Sequence, residues 1–358
     1  MMSDIFKMFA KLFLVITVIF TIFLYLFSIV LGPAMFYFTT EGQTTSMNHL
    51  PALPIWLLNQ SIAIPVEVNI GVLFFVLWSI FTLSFVAAWK VRENFHKVIK
   101  ESIFQPIKKL FTSSLFVMPL LNSMTLLAVI LIQSIQEAGG IPTGTPPIPG
   151  ESFFDFLDLS YAAVIEEVGF RFIPIGAFMV LYMFIIKKKT NTQFSKKQNL
   201  KLFFSSILFP DSAKRMVGTT TVNEYGIKRG ISPGEWGMLL FTSLIFGMAH
   251  FNPGVSWELG KISSAGIAGV ALGLSYLLYG AHSSIIMHWF FNAYTNTFVL
   301  LSEIYPVVAP LATVVTILTL ILGILGWLAV VSFGFLKLAQ RSEKSQEQIT
   351  PSSAISLE

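Results

Sequence analysis

Residues 166–171 read Glu-Glu-Val-Gly-Phe-Arg and lie inside a strongly apolar stretch. A charged side chain at a membrane helix centre costs about 2.5–3.5 kcal/mol on insertion scales, so such residues mark functional sites by default. Adjacent helical residues point to different faces, whereas residues four apart share one. Glu167 and Arg171 therefore read as a buried, charge-neutralising pair. Glu166 is left as the unpaired carboxylate, free to take a proton from water as a general base.

Two further ionisable groups lie at membrane depth. His250 closes the segment Phe246-Gly-Met-Ala-His250, and His288 opens His288-Trp-Phe-Phe-Asn292. The four-residue spacing puts Phe246 with His250, and His288 with Asn292, on one helical face each. A single helical histidine is usually a hydrogen-bonded core residue. A glutamate, two histidines and an asparagine on three apolar segments suit water-activated hydrolysis instead. The carboxylate takes a proton, a histidine holds the water, and His with Asn on one face donate to a developing oxyanion. His49 and His96 fall in loops, and His282 opens a span where solvation accounts for it. There is no G-x-S-x-G elbow and no H-E-x-x-H motif.

The elements that must position these groups are membrane helices. The 358 residues are 54% hydrophobic and 12% charged, and mean hydropathy is +0.73. A soluble domain carries about 25% charged residues. Cysteine is absent, which excludes disulfides, thiolate metal sites and a Cys nucleophile. Apolar runs near the length of about 20 residues that crosses a bilayer fall at about 12–38, 70–89, 114–136, 153–186, 234–252, 264–281, 283–302 and 307–336. The expectation is an all-α polytopic bundle of about eight transmembrane helices around an intramembrane active-site cavity. The first run is too long for a signal-peptide core. Pro174 should kink or break the fourth. Ser232-Pro233-Gly234-Glu235 is a capping box that starts the fifth.

Charge sets the organisation. Residues 90–109 hold six Lys/Arg and residues 187–229 hold ten. With Lys7, Lys11, Lys337, Arg341 and Lys344 they make 21 of the 23 basic residues; only Arg171 and Lys261 lie elsewhere. Loops 39–69 and 137–152 contain none. The positive-inside rule then places both termini in the cytoplasm. Four regions follow: helices one to three over 1–152, with a basic loop at 90–113; a core over 153–302, with a basic loop at 187–235; a last helix over 303–336; and a polar tail over 337–358 read as disordered. Residues 95–111 have the spacing of a helix lying on the cytoplasmic surface, interrupted by Pro106. The glycines at 269 and 273 allow close helix packing within the monomer. Nothing points to a nucleic-acid partner, and the oligomeric state is left open.

The ordered set E-E-x-x-x-R at 166–171, F-x-x-x-H at 246–250 and H-x-x-x-N at 288–292 resembles the signature motifs of the type II CAAX prenyl endopeptidases. These form the CPBP or Abi family of intramembrane proteases, which includes the Ras-converting enzyme. The resemblance covers about 153–300. It implies that Glu166 activates water, that His250 helps hold it, and that His288 and Asn292 form the oxyanion hole. Glu167, Arg171 and Phe246 then support the site. It also implies a substrate that is the C-terminal peptide of a lipid-modified or membrane-bound protein. The membrane is the plasma membrane in a prokaryote and the endoplasmic reticulum in a eukaryote. No cofactor is favoured. The zinc alternative would use Glu166, His250 and His288 as the three protein ligands of an open site. The competing classes are a proton-coupled transporter that uses the buried Glu, His and Arg as a relay, and a non-catalytic immunity or scaffold protein.

Overall fold

The apolar runs fold as helices because lipid leaves no other partner for backbone N–H and C=O groups. The computed structural model describes residues 2–58, 60–102, 107–145, 152–253 and 256–349. Six helices are long and apolar enough to cross a membrane: Lys11–Phe38, Ile70–Lys90, Ser114–Ala138, Ser152–Lys189, Leu259–Tyr279 and Pro306–Ser332. Large apolar side chains such as Phe20, Phe23, Leu328 and Val331 are exposed along them, as lipid-facing positions require. The chain is an all-α polytopic membrane protein.

In chain order, α1 (Met2–Phe38) leads into a short α2 (Thr40–Met47). Two small antiparallel pairs follow: β1 (His49–Leu50) with β4 (Val68–Asn69), and, between them, a hairpin of β2 (Leu53–Leu57) and β3 (Gln60–Ile64). Next come α3 (Ile70–Lys90), α4 (Phe95–Ser102) and α5 (Ser114–Ala138). Phe95 and Val98 of α4 are buried, so this basic segment packs onto the bundle. Pro106 lies outside the described residues.

The fourth apolar run breaks, as Pro174 leads one to expect. Helix α6 (Ser152–Glu167) passes through a π-turn (Val168–Phe172) into α7 (Pro174–Lys189). Ile173 donates to the carbonyl of Val168, five residues back, and Pro174 has no N–H to restore the α pattern. The segment 187–235, read above as a basic loop, builds three helices: α8 (Lys196–Leu208), α9 (Pro210–Met216) and α10 (Val222–Gly230). Lys214 is buried there rather than solvated, pairing at 2.6 Å with Glu235 of α11 (Pro233–Ala249). The Ser232–Glu235 capping box at the start of α11 is present.

Helix α12 (Leu259–Tyr279) packs closely along α11. A Cβ on Gly247 would stand 2.4 Å from the Ile262 carbonyl, and one on Gly269 would stand 3.1 Å from Ser243 Cα. The glycines thus serve packing within the monomer. At Gly280, φ of 107° turns the chain sharply into α13 (Ala281–Trp289). This turn tucks His282 inside, against Ser114 Oγ at 3.1 Å. The expectation of a solvated His282 is therefore corrected: the span starts within the bundle and not at its rim.

A second π-turn (Phe290–Tyr294) joins α13 to α14 (Thr295–Ile304). The fifth and seventh expected spans are therefore a 17-residue helix and an interrupted one, which is why neither counts among the six long helices. The last helix, α15 (Ala309–Ile349), continues past residue 336, where the sequence reads as a disordered tail. Lys, Glu, Gln and Ala in that stretch are good helix formers, and extending an existing helix needs no new nucleus.

Candidate active site

Regular α-helical geometry is interrupted at the site: both helices that carry its central groups change from α to π there. Single π-turns inside helices occur frequently at functional sites. Here they re-aim the residues that follow while the helices keep their course.

Glu167 is fully buried, and Arg171 nearly so. Arg171 Nη1 donates to Glu167 Oε1 at 2.8 Å. The guanidinium also lies 4.4 Å over the Phe246 ring and reaches the Gly269 carbonyl at 3.4 Å. The expected pair is thus formed, and its arginine is satisfied on three sides. Such a buried pair gains little net energy against desolvation, but removal of either partner strands the other.

Glu167 does more than neutralise Arg171. The same Oε1 accepts from His288 Nδ1 at 2.8 Å. That contact fixes the histidine's orientation and puts a proton on Nδ1. Its other nitrogen, Nε2, stands 3.5 Å from Glu166 Oε2. His288 therefore bridges the two neighbouring glutamates. Face-by-face reasoning on an ideal helix separates Glu166 from Glu167 but misses a third helix reaching both. No signal in the sequence marks that contact.

Glu166 keeps 20% of its side chain exposed, and its Oε2 makes no hydrogen bond among the described residues. His250 lies at the end of α11, with Nδ1 2.8 Å from the Phe246 carbonyl. A carbonyl only accepts, so Nδ1 carries the proton and Nε2 keeps its lone pair. Glu166 lies within electrostatic reach of His250. Phe246 joins the groups: its ring is 4.6 Å from the His250 ring, 6.0 Å from His288 and 5.0 Å from Phe170. Phe170, Phe246, Ala265, Leu272 and Met287 form a small apolar core beneath.

Asn292 sits within the second π-turn, and its Nδ2 donates to the Leu159 carbonyl of α6 at 3.3 Å. Helical side chains lean toward the N-terminus, so the Glu166 carboxylate inclines along α6 in the direction of Leu159. The structure thus joins Glu166, Glu167, Arg171, His250, His288 and Phe246 through direct contacts or short electrostatic reach, and docks Asn292 on the helix that carries Glu166.

The β2–β3 hairpin lies over the first π-turn. Leu58 N–H donates to the Gly169 carbonyl at 3.4 Å, and Tyr161 Oη donates to the Pro54 carbonyl at 2.6 Å. A Cβ on Gly169 would stand 2.1 Å from the Trp56 carbonyl oxygen, so only glycine admits the hairpin at this point. Sequence reasoning assigns this hairpin no role. Two cavities, of about 220 Å³ beside Arg92 and Asp211 and about 500 Å³ beside Tyr37 and Asn69, lie away from these residues.

Among the described residues, no three His, Cys, Asp or Glu side chains group as a metal-ligand set. In the zinc alternative both histidines would ligate through Nε2, since Nδ1 of His288 is held by Glu167 and Nδ1 of His250 by a backbone carbonyl. No step below is routed through a metal.

Residues 152–294 match the family described as type II CAAX prenyl endopeptidase Rce1-like. No curated protein and no solved structure matches the chain. The matched segment runs from the start of α6 to the end of the second π-turn, so it contains every motif residue named above.

Proposed function

We propose, taking the Rce1-like character of residues 152–294 as premise, that this protein is a glutamate-dependent intramembrane endopeptidase. It cleaves a peptide bond near the C-terminus of a membrane-associated, CAAX-type substrate. The observation that carries this reading is the Glu166 carboxylate. It is partly exposed, free of hydrogen bonds at Oε2 among the described residues, and 3.5 Å from a histidine held in place by Glu167.

Glu166 takes a proton from water while His250 Nε2 accepts the water's other hydrogen. The oxygen adds to the scissile carbonyl carbon, and negative charge moves to the carbonyl oxygen. As an imidazolium between the two glutamates, His288 donates its Nε2–H to that oxyanion together with Asn292 Nδ2–H. The C–N bond then breaks, and Glu166 returns its proton to the leaving amine. Catalytic hydrogen bonds are often long before substrate binds, which accommodates the present 3.5 Å. Phe246 and Phe170 supply the apolar wall that strengthens each polar contact. The chemistry needs no metal.

The basic segments 90–109 and 187–229 face the cytoplasm in this reading. The β2–β3 hairpin then covers the site from the opposite side, because α3 connects the two regions across the bundle.

The test is mass spectrometry of peptide termini after incubating prenylated and unprenylated C-terminal peptides with wild type and with Glu166→Gln. Wild type should release a C-terminal fragment, and Glu166→Gln should release none while remaining folded in the membrane. Cleavage by Glu166→Gln would end the proposal.

A further inference from the structure

Lys261 is one of only two basic residues outside the basic segments and the chain's terminal regions, and the mechanism leaves it unused. It lies in the first turn of α12, half-buried, with Nζ 3.5 Å from the centroid of the Trp257 ring. The carboxylate that acts on it is Glu166, which bears on it through space. An ammonium facing an aromatic ring keeps only part of the stabilisation it would have in water.

Its surroundings are rigid. Asn252 N–H donates to the Trp257 carbonyl at 2.9 Å, Glu258 N–H to Thr143 at 3.1 Å, and Gly260 N–H to Pro142 at 2.8 Å. Gly247 packs against the Ile262 carbonyl, so the start of α12 lies beside the end of α11, which carries His250. Glu166 and His250 both lie within electrostatic reach of Lys261. The ammonium is therefore a pre-positioned cation at the edge of the catalytic cluster.

We infer that Lys261 binds the terminal α-carboxylate of the substrate peptide. This deepens the proteolytic reading and rests on it. A substrate cut near its C-terminus brings one obligatory anion to the site, and Lys261 is a cation within electrostatic reach of the proposed base that the mechanism does not use. An extended chain advances about 3.3–3.6 Å per residue. Anchoring the terminus near Glu166 thus limits attack to bonds a few residues away and sets the length of the released fragment. The Trp257 face orients the ammonium without neutralising it, leaving its charge for the incoming carboxylate.

The experiment uses the full chain in detergent and one membrane-anchored reporter peptide in two forms, ending in a free carboxylate or in a carboxamide. The readout is the ratio of kcat/KM for acid over amide. A hydrogen-bonded charge pair at this site predicts a ratio of roughly 10- to 100-fold for wild type. The ratio should fall to near one for Lys261→Gln and stay well above one for Lys261→Arg, with the change in KM. A wild-type ratio near one, or a Lys261→Gln ratio equal to wild type, overturns the inference. Equal losses on both peptides would mean that Lys261 acts on Glu166 or on folding, which overturns it too. If wild type cleaves neither peptide, the proteolytic reading itself falls, an outcome distinct from equal cleavage of both.

Discussion

Glu166 and Glu167 are neighbours in sequence, yet replacing each with glutamine should have opposite consequences. Glu167 is fully buried and receives both Arg171 Nη1 and His288 Nδ1 on one oxygen at 2.8 Å. Glu167→Gln leaves a buried guanidinium with a ring and a carbonyl but no counter-charge. Breaking a buried pair from one side costs about 3–5 kcal/mol. Glu166 makes no hydrogen bond at its buried Oε2, and replacing it strands no ion-paired partner, so Glu166→Gln should cost about 1 kcal/mol or less. The assay is unfolding in detergent, by heat or by SDS titration, followed through tryptophan fluorescence. A third variant sharpens the test. Glu167→Gln with Arg171→Met removes the stranded charge, and buried pairs replaced by apolar groups of similar size are often neutral in stability. The double variant should therefore recover much of what Glu167→Gln loses. It should not recover peptide cleavage, because His288 still lacks the acceptor that orients it, and positioned acid–base groups contribute about 10²–10⁴-fold. The reasoning is refuted if Glu167→Gln is as stable as wild type, or if adding Arg171→Met lowers stability further.

Other outcomes follow from the same geometry. Asn292→Ala should lower kcat by about 10²–10³, the usual cost of one oxyanion donor, with KM little changed in steady-state peptide cleavage. Gly169→Ala drives a Cβ to 2.1 Å from the Trp56 carbonyl; overpacking and the lost Leu58–Gly169 hydrogen bond should together cost about 2–4 kcal/mol in the detergent unfolding assay. Lys214→Met strands Glu235, whose pair is buried on both sides, and should destabilise by about 3–5 kcal/mol without altering KM of the residual active fraction. Exhaustive chelation should leave cleavage intact; loss of activity restored by added zinc would contradict the metal-free mechanism.

Much of the architecture was legible in the sequence because lipid imposes simple demands. Long apolar runs had to be helices, Pro174 had to interrupt one, and Ser232 with Glu235 had to start another. The Glu167–Arg171 pair followed from four-residue spacing alone. What escaped depends on contacts between distant segments. His288 reaches Glu167 across 121 positions, and no local pattern encodes that bond. His282 looked like a rim residue until the Gly280 turn placed it inside. The π-turns were invisible for a different reason: Val168–Phe172 and Phe290–Tyr294 have the composition of ordinary apolar helix. The hairpin over Gly169 belongs to a loop whose mixed polar, turn-forming and apolar residues show no sustained strand alternation.

The two π-turns also bear on how this site tolerates changes in chain length. Each turn holds one residue more than an α-helix of the same rise would accommodate. Removing a residue such as Val168 or Ala293 would let the helix close into regular α form with its ends little displaced. The flanking segments would keep their phase, and the residues inside the turn would rotate by up to about 100°, the angle of one residue in an α-helix. Arg171 would leave Glu167, or Asn292 would leave α6, while the transmembrane path stayed the same. The surplus residues thus act as local phase shifters: they aim the residues of the turn at the chemistry while both flanks answer to the bundle. A single-codon deletion at either turn is the change that would preserve the membrane protein and erase its site.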